Sequence, residues 1–373
     1  MKIIINTTNL KIGGALQVAI SFIYEAIHFS ENIYHVFLSP TMDKEIDRSV
    51  FPRNFMFYSF KNPSRFILFD PIIKELNNME KKINPDCVFS VFGPTYWKPK
   101  SRHVMGFANG LYLYDDLPYM QNMPLLEKIK FNMKKLYHQI LLKNNADLYV
   151  VQTDDMKNRF SEFIDKPKEK IDVVSGKYHT IFENQVEDLK LLPEKKENEF
   201  WFVTISAFYP HKKLDVITEL VEIIRETKLS IKFVLTIPDD VLQDKFKNVE
   251  DYIINLGPVK LEECPYIYSR ANALFLPTLV ESFTASYPEA MKMKKPILTS
   301  NYSFATTVCK DSALYFDPYD IDDIMQQILK IYNEKNTYSE MVRKGSLIVE
   351  ELPSVTNRAE RYLNLCKKVI NNV

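Results

Sequence analysis

The chain has 373 residues, 46% of them hydrophobic and 26% charged, which suits a soluble globular protein and favours two domains over one. Its 48 basic and 48 acidic residues cancel, so it lacks the overall basicity of a nucleic-acid binder, and no run approaches the ~18 apolar residues of a membrane span. The four cysteines, Cys87, Cys264, Cys309 and Cys366, form no CxxC pair, which argues against a disulfide framework or a zinc site and fits a reducing compartment. The opening "MKIIINTTNL" has no signal-peptide core or cleavage site, so a cytoplasmic location is expected, with room for peripheral contact at the inner face of the plasma membrane.

Short apolar runs alternate with amphipathic stretches. Strands are expected at 2–7, 35–39, 55–60, 86–93, 103–110, 147–153 and 171–176, with helices at 14–28, 70–82, 124–145 and 154–163. The polar stretch "ENQVEDLKLLPEKKENE" then reads as an interdomain connection. The pattern restarts with strands at 200–206, 231–237, 252–257, 271–278, 295–300 and 312–318. Helices are expected near 213–227, 239–246, 261–269, 284–294 and 320–334, and two more near 337–350 and 355–370 close the chain. Strand–helix alternation of this kind specifies largely parallel sheets covered on both faces. Two such halves, binding ligands at the carboxyl ends of their strands, predict a shared cleft. Charge divides with them: residues 1–178 hold 24 Lys+Arg and 19 Asp+Glu, a net of +5, and residues 179–373 hold 24 and 29, a net of −5.

The stretch "TLVESFTASYPEAMKMKKPILTS" places Glu281 at a strand's carboxyl end and Glu289 in the helix that follows. Ser282 and Thr284 are acceptable helix caps, and Pro288 is tolerable only in a first turn, so the helix is expected to start near Thr284. Its free amides and positive dipole end suit a phosphate. The arrangement fits a nucleotide sugar: ribose on Glu289, diphosphate on the amides of Phe283, Thr284 and Ala285, donor sugar near Glu281. The alternative is two surface glutamates at a helix start, where acids are favoured anyway.

"PTLVESFTASYPEAMKMKKPILTSN" resembles the E-x7-E motif of retaining GT-B glycosyltransferases of family 4. "VTISAFYPHKKLDVITELVEII", "LGPVKLEECPYIYSRANALFLPT", "SALYFDPYDIDDI" and "NTTNLKIGGALQVAISF" match flanking segments of that family in order, closely over 200–335 and more loosely over 1–180. The resemblance implies two Rossmann-like, doubly wound parallel-sheet domains facing a central cleft. Residues 1–178 would bind the acceptor, 179–199 would link the domains, 200–353 would bind the donor, and a helix in 354–373 would cross back to the first domain. By the same resemblance Glu289 holds the ribose, Glu281 contacts the donor sugar and Lys212 neutralises the leaving diphosphate. Gly13 and Gly14 let backbone amides approach the donor phosphates. Ser206 and Val259 complete the donor-binding set with Ser282, Phe283, Thr284 and Ala285. Two departures stand out. Ala207 occupies a position where the family often has an arginine, and Ser282 and Thr284 replace the glycines of E-G-F-G.

The implied reaction is a metal-independent transfer from a UDP- or GDP-sugar, with no cofactor, to a saccharide or lipid-linked saccharide acceptor in bacterial surface-polysaccharide synthesis. Attack is front-side with retention, and the leaving phosphate takes the acceptor's proton. Family members often place a histidine at a strand end of the first domain; here Asn109 stands at that end of "HVMGFANG", while His103 begins it, so Asn109 is the expected sugar or acceptor contact. His211 either senses the phosphate or is a simple loop residue. The pairs Asp115–Asp116, Asp154–Asp155 and Asp239–Asp240 are read as capping and surface acids rather than a metal site. The basic, amphipathic stretch 127–145 either lies on anionic lipid through Lys128, Lys134, Lys135 and Lys143, or is a solvated helix packing its Leu and Ile inward. Two other readings remain open at this stage: a nucleotide-sugar epimerase on the same fold, and a non-catalytic sugar-nucleotide binding partner.

Overall fold

The computed structural model describes residues 1–11, 13–64 and 70–371, which form two units. The first comprises Met1–Asp116, Met120–Gly176 and Pro353–Val373. Its strands are β1 (Lys2–Asn6), β2 (Ile33–Leu38), β3 (Phe55–Ser59), β4 (Cys87–Ser90), β5 (Arg102–Gly106), β6 (Leu148–Val151) and β7 (Ile171–Val173). They pair in parallel throughout, in the order β3-β2-β1-β4-β5-β6-β7. The helices along this stretch are α1 (Gly14–Glu25), α2 (Pro40–Glu45), α3 (Pro71–Ile83), α4 (Gly110–Leu113), α5 (Pro118–Gln121), α6 (Leu125–Lys143) and α7 (Asp154–Ile164).

β1 shows why the runs are continuously apolar. Ile3 and Ile5 enter a core with Val36, Phe89 and Val104, while Ile4 enters a second core with Phe37, Val88 and Trp97 on the other face. Side chains alternate across a strand, so a strand covered on both sides needs an apolar residue at every position.

The second unit, Leu117–Tyr119 with Lys177–Leu352, has six parallel strands in the order β10-β9-β8-β11-β12-β13. These are β8 (Phe200–Thr204), β9 (Ile231–Leu235), β10 (Ile253–Asn255), β11 (Ala273–Leu276), β12 (Ile297–Ser300) and β13 (Ala313–Phe316). The helices are α8 (Val216–Thr227), α9 (Asp239–Lys245), α10 (Cys264–Arg270), α11 (Ser286–Lys292), α12 (Ser303–Cys309), α13 (Ile321–Asn333) and α14 (Lys335–Glu351). In both sheets the strand order reverses direction once, between β1 and β4 and between β8 and β11. That reversal opens a crevice at the carboxyl ends, where open sheets of this kind hold their ligands.

The last helix, α15 (Val355–Asn371), belongs to the first unit. Ala359, Tyr362, Leu363, Cys366 and Val369 lie in the same core as Ile3 and Ile5. The Tyr362 ring meets Phe22 edge-on at 5.5 Å and Phe89 at 5.1 Å. Arg358 donates to Ser21 Oγ at 2.8 Å and Lys368 to Asp172 at 2.8 Å.

All thirteen expected strands are present, mostly trimmed at the ends. The stretch 103–110 is strand only to Gly106, because the backbone then turns into α4 with Asn109 as its N-cap. α2, α4, α5 and α12 were not anticipated; each is seven residues or fewer, too short for an apolar period to show. One alternative holds only at the end of the helix: α6 packs Leu142 inward but not most of its other Leu and Ile residues. Leu125, Leu126, Ile129, Met133, Leu136 and Ile140 are all exposed, and the buried residues are His138 and Leu142. No helix among the described residues is long and apolar enough to cross a membrane.

Candidate active site

Two loops leave the carboxyl ends of β8 and β11, on either side of the reversal in the second sheet. The first ends in a single tight turn, Pro210–Lys212, with Lys213 in the left-handed region at φ 48°. The second runs from Thr278 to Ala285. They are bound together through backbone: Leu279 N–H donates to the His211 carbonyl at 2.7 Å. This bond brings Lys212 onto Glu281 as an ion pair, and the Thr278 hydroxyl donates to the same Glu281 oxygen at 3.0 Å. The two charged side chains are only 13% and 11% exposed. At such burial an ion pair survives when further hydrogen bonds satisfy it, which is what Thr278 supplies. The His211 ring stacks on Tyr209 at 5.5 Å, and burial lowers its pKa.

The helix after Glu281 begins later than the spacing predicts. α11 starts at Ser286, and Ala285, already helical at φ −65°, is its N-cap without a side-chain bond. Thr284 Oγ1 accepts from Ser286 N–H at 3.3 Å, so its hydroxyl serves the turn one step before the cap. Ser282 caps nothing. The amides of Phe283, Thr284 and Ala285 therefore belong to the loop and not to the first turn of the helix. Pro288 falls in that first turn, where its missing N–H breaks no bond.

Glu289 sits in the first turn of α11, where its carboxyl is surrounded by protein although part of the residue's surface remains exposed. Desolvation pushes its pKa up to about 7, against the opposing effect of the Tyr268 hydroxyl, which donates to it at 3.3 Å. Tyr268 lies on α10 and is fully buried. Sequence reasoning missed both partners: Tyr268 meets Glu289 across 21 positions and only through the fold, whereas Thr278 stands three positions before Glu281, and that short spacing was the signal available.

The remaining expected donor residues follow β8 and other strands, each within its own unit. Ser206 follows β8, its N–H donating to Thr236 Oγ1 at 3.1 Å, and exposed Ala207 follows it. Val259 is half-buried just beyond Gly257, whose φ is +66°. In the first unit, Gly13 caps α1 at φ +82°, a conformation that glycine adopts without strain, and a Cβ on Gly13 or Gly14 would meet nothing within 4 Å. The chain there is open on the side facing solvent. Asn109 is half-buried beyond β5. His103 is walled off: it bonds Ser90 Oγ at 2.8 Å and the Asn145 carbonyl at 2.6 Å, and burial drops its pKa to about 4.

The paired aspartates are accounted for within the protein. Asp115 pairs with Lys135 and Asp116 with Arg159. Asp154 and Asp155 lie inside the first turn of α7, whose cap is Thr153, and Asp239 and Asp240 lie in the first turn of α9. Among the described residues no group of three or more His, Cys, Asp or Glu is placed to hold a metal ion.

The family model "Glycosyl transferases group 1" matches residues 187–347. Among curated proteins, the chain is 24% identical over 246 residues to the O-antigen chain mannosyltransferase RfbU of Salmonella typhimurium, covering 62% of this chain and 60% of that protein. It is 36% identical over 81 residues to the O-antigen chain mannosyltransferase B of Escherichia coli, covering 22% and 21%. The matched region thus spans less than two thirds of either relative. Among solved structures, WaaG, a glycosyltransferase involved in lipopolysaccharide biosynthesis, superposes with a TM-score of 0.74 at 12% identity over 100% of both chains. Anabaena HepE in complex with UDP and glucose superposes with a TM-score of 0.71 at 13% identity over 99% and 100%. Residues 187–347 thus match the glycosyl transferases group 1 model, on a chain whose fold is GT-B.

Proposed function

We propose that the protein is a glycosyltransferase that moves a sugar from a nucleoside-diphosphate sugar to a hydroxyl of a saccharide or lipid-linked saccharide, in the synthesis of a bacterial surface polysaccharide. The observation that carries this reading is the Lys212–Glu281 pair, held by two loops at the strand-order reversal inside the matched segment. A lysine there is a positive charge aimed at a leaving diphosphate. Removing one such preorganised donor in other enzymes costs ~3–4 kcal/mol of transition-state stabilisation. In the proposed step the bond from the sugar's anomeric carbon to the diphosphate oxygen breaks, and a bond to the acceptor oxygen forms on the same face. The acceptor's proton passes to the leaving phosphate. Glu281 orients the donor sugar once the diphosphate has drawn Lys212 from it, and the Glu289 carboxylate accepts from the ribose hydroxyls.

The amides of Phe283, Thr284 and Ala285, with Ser206 and Val259 nearby, complete the donor site in the second unit. Gly13, Gly14 and Asn109 are the contribution of the first unit, which binds the acceptor. Lys212 and the loop amides supply the charge that a metal would otherwise provide, so chelator is expected to leave turnover unchanged. The names of the two O-antigen mannosyltransferases and of HepE with UDP and glucose make mannose and glucose the first sugars to test.

The test is product analysis after incubation with UDP- and GDP-sugars and lipid-linked saccharides. A new glycoside with the donor's anomeric configuration, and free nucleoside diphosphate, supports the reading. An altered nucleotide sugar points to an epimerase, and binding without turnover to a non-catalytic partner. Either result sinks the transfer.

A further inference from the structure

Six of the fifteen exposed large hydrophobic side chains among the described residues lie on one helix, α6: Leu125, Leu126, Ile129, Met133, Leu136 and Ile140. Each is between 48% and 73% exposed. Steps of three and four along a helix of 3.6 residues per turn gather them within an arc of about 100°. The opposite face is the one that packs. His138 is buried between the Tyr96 and Tyr112 hydroxyls at 2.9 and 3.0 Å, and Leu142 is fully buried. The outward stripe is therefore no by-product of a helix that lacks an inner face. A row of solvent-facing leucines this long marks an interaction surface.

Its borders indicate what covers it. α6 carries Lys128, Lys130, Lys134, Lys135 and Lys143 against a single acid, Glu127. Lys130 lies just past one edge of the stripe and Lys128 past the other, while Lys143 stands on the edge itself. Most of these lysines already have partners within the protein, among them Lys128 with the Gln121 carbonyl at 3.1 Å and Lys135 with Asp115 and Lys143 with Asp165, both at 2.6 Å, so lysines alone do not make the surface. A second copy of the chain laid on the stripe by a two-fold axis would set lysine rows beside lysine rows, with no matching glutamates. An anionic bilayer meets both features: its acyl boundary takes the leucines and its headgroups take the lysines. With five lysines α6 cannot span a membrane; it is suited to lie along one.

We infer that α6 is a membrane-seating helix, which inserts its Leu125–Ile140 stripe lengthwise into the surface of an anionic lipid bilayer. Its length of about 28 Å then lies in the interface plane, about 5–10 Å into the headgroup and acyl boundary. The apolar stripe supplies the hold and the lysines supply the preference for negative lipid, so attachment outlasts salt that screens surface charge. The inference stands on the helix alone and needs neither donor nor acceptor, so its failure and that of the transferase reading are separable.

The experiment is sedimentation of the full chain with vesicles of phosphatidylcholine containing roughly one third phosphatidylglycerol. The wild type is expected to pellet with these vesicles and to stay largely bound in about 0.5 M salt, where the screening length falls to a few ångströms. The triple variant Ile129→Gln, Met133→Gln, Leu136→Gln is expected to lose ten-fold or more of its partitioning with an unchanged melting temperature. Met133→Trp provides an independent readout, because Trp97 and Trp201 are fully buried and silent to lipid: its emission should shift to the blue when vesicles are added. A wild type that does not pellet, release of the protein at high salt, a triple variant that binds as well as the wild type, or no blue shift would each overturn the inference. So would a lipid-free dimer that the triple variant dissolves, which would make the stripe a contact between copies of the chain.

Discussion

Glu289 titrates where a physiological change in pH can be felt. Its ordinary pKa is near 4.5 and burial raises it to about 7. Below pH 4.5 both folded and unfolded chains hold the proton, and burial of the carboxyl carries no charge penalty. Between 4.5 and 7 the unfolded chain releases the proton while the folded chain keeps it, so stability falls as pH rises and levels off above 7. The full drop is about 3 kcal/mol. Urea unfolding across this range should show the decline in the wild type and a flat profile in Glu289→Gln. If the carboxylate accepts from ribose hydroxyls, nucleoside-diphosphate affinity should climb as pH approaches 7 and lose that slope in the same variant. A decline that persists in Glu289→Gln would move the titration to another group. The Lys212–Glu281 pair makes a second residue-scale prediction. Lys212→Met leaves the Glu281 carboxylate with Thr278 and costs roughly 2–4 kcal/mol of stability. The double variant Lys212→Met, Glu281→Gln removes both charges and should recover most of it. Turnover should stay about 100-fold down or worse in both variants, which separates the catalytic loss from the folding loss. Full turnover in the double variant would remove Lys212 from the leaving-group role.

At the scale of elements, the strands were the most legible feature. β1, β4, β8 and β11 are fully or nearly fully buried along their length, so their apolar runs are unbroken. Helices with a long apolar period, such as α3, α8 and α13, were equally plain. Helix starts were less so. Ser282 and Thr284 both look like caps in the sequence, but the loop around Glu281 is tied to His211, and α11 begins beyond them. The carboxyl end of β5 turned on a glycine. A Cβ at Gly106 would lie 2.0 Å from the Val91 carbonyl oxygen, an atom of the neighbouring backbone that cannot give way. Gly106→Ala should therefore cost about 2–4 kcal/mol and displace the segment that carries Asn109. Thermal unfolding of the variant checks this, and an unchanged melting temperature would show that the two segments separate freely.

For the whole molecule, the C-terminal helix matters most to the first unit. Tyr362 of α15 packs against the touching pair Phe22 and Phe89, in one core with β1. Tyr362→Ala should destabilise the first unit by about 3–5 kcal/mol, the usual cost of a large aromatic removed from a core. Hydrogen exchange should then show lost protection in β1 and β4 with the second unit's sheet unaffected. Equal loss in both sheets would mean that the two units unfold as one.

The sequence by itself determined the two parallel-sheet units, because residues buried on both faces of a sheet must be apolar at every position and that pattern survives in one dimension. It also singled out Glu281, Glu289 and Lys212, through a spacing that resembles a known motif. Only the tertiary structure decided their electrostatic state. The Lys212–Glu281 pair forms across 69 positions of sequence and the Tyr268–Glu289 bond across 21. The raised pKa of Glu289 comes from desolvation by elements that the local sequence does not name. The direction of the α6 stripe was settled the same way: an amphipathic period tells that a helix has two faces, and only the packing of His138 and Leu142 tells which one is inside.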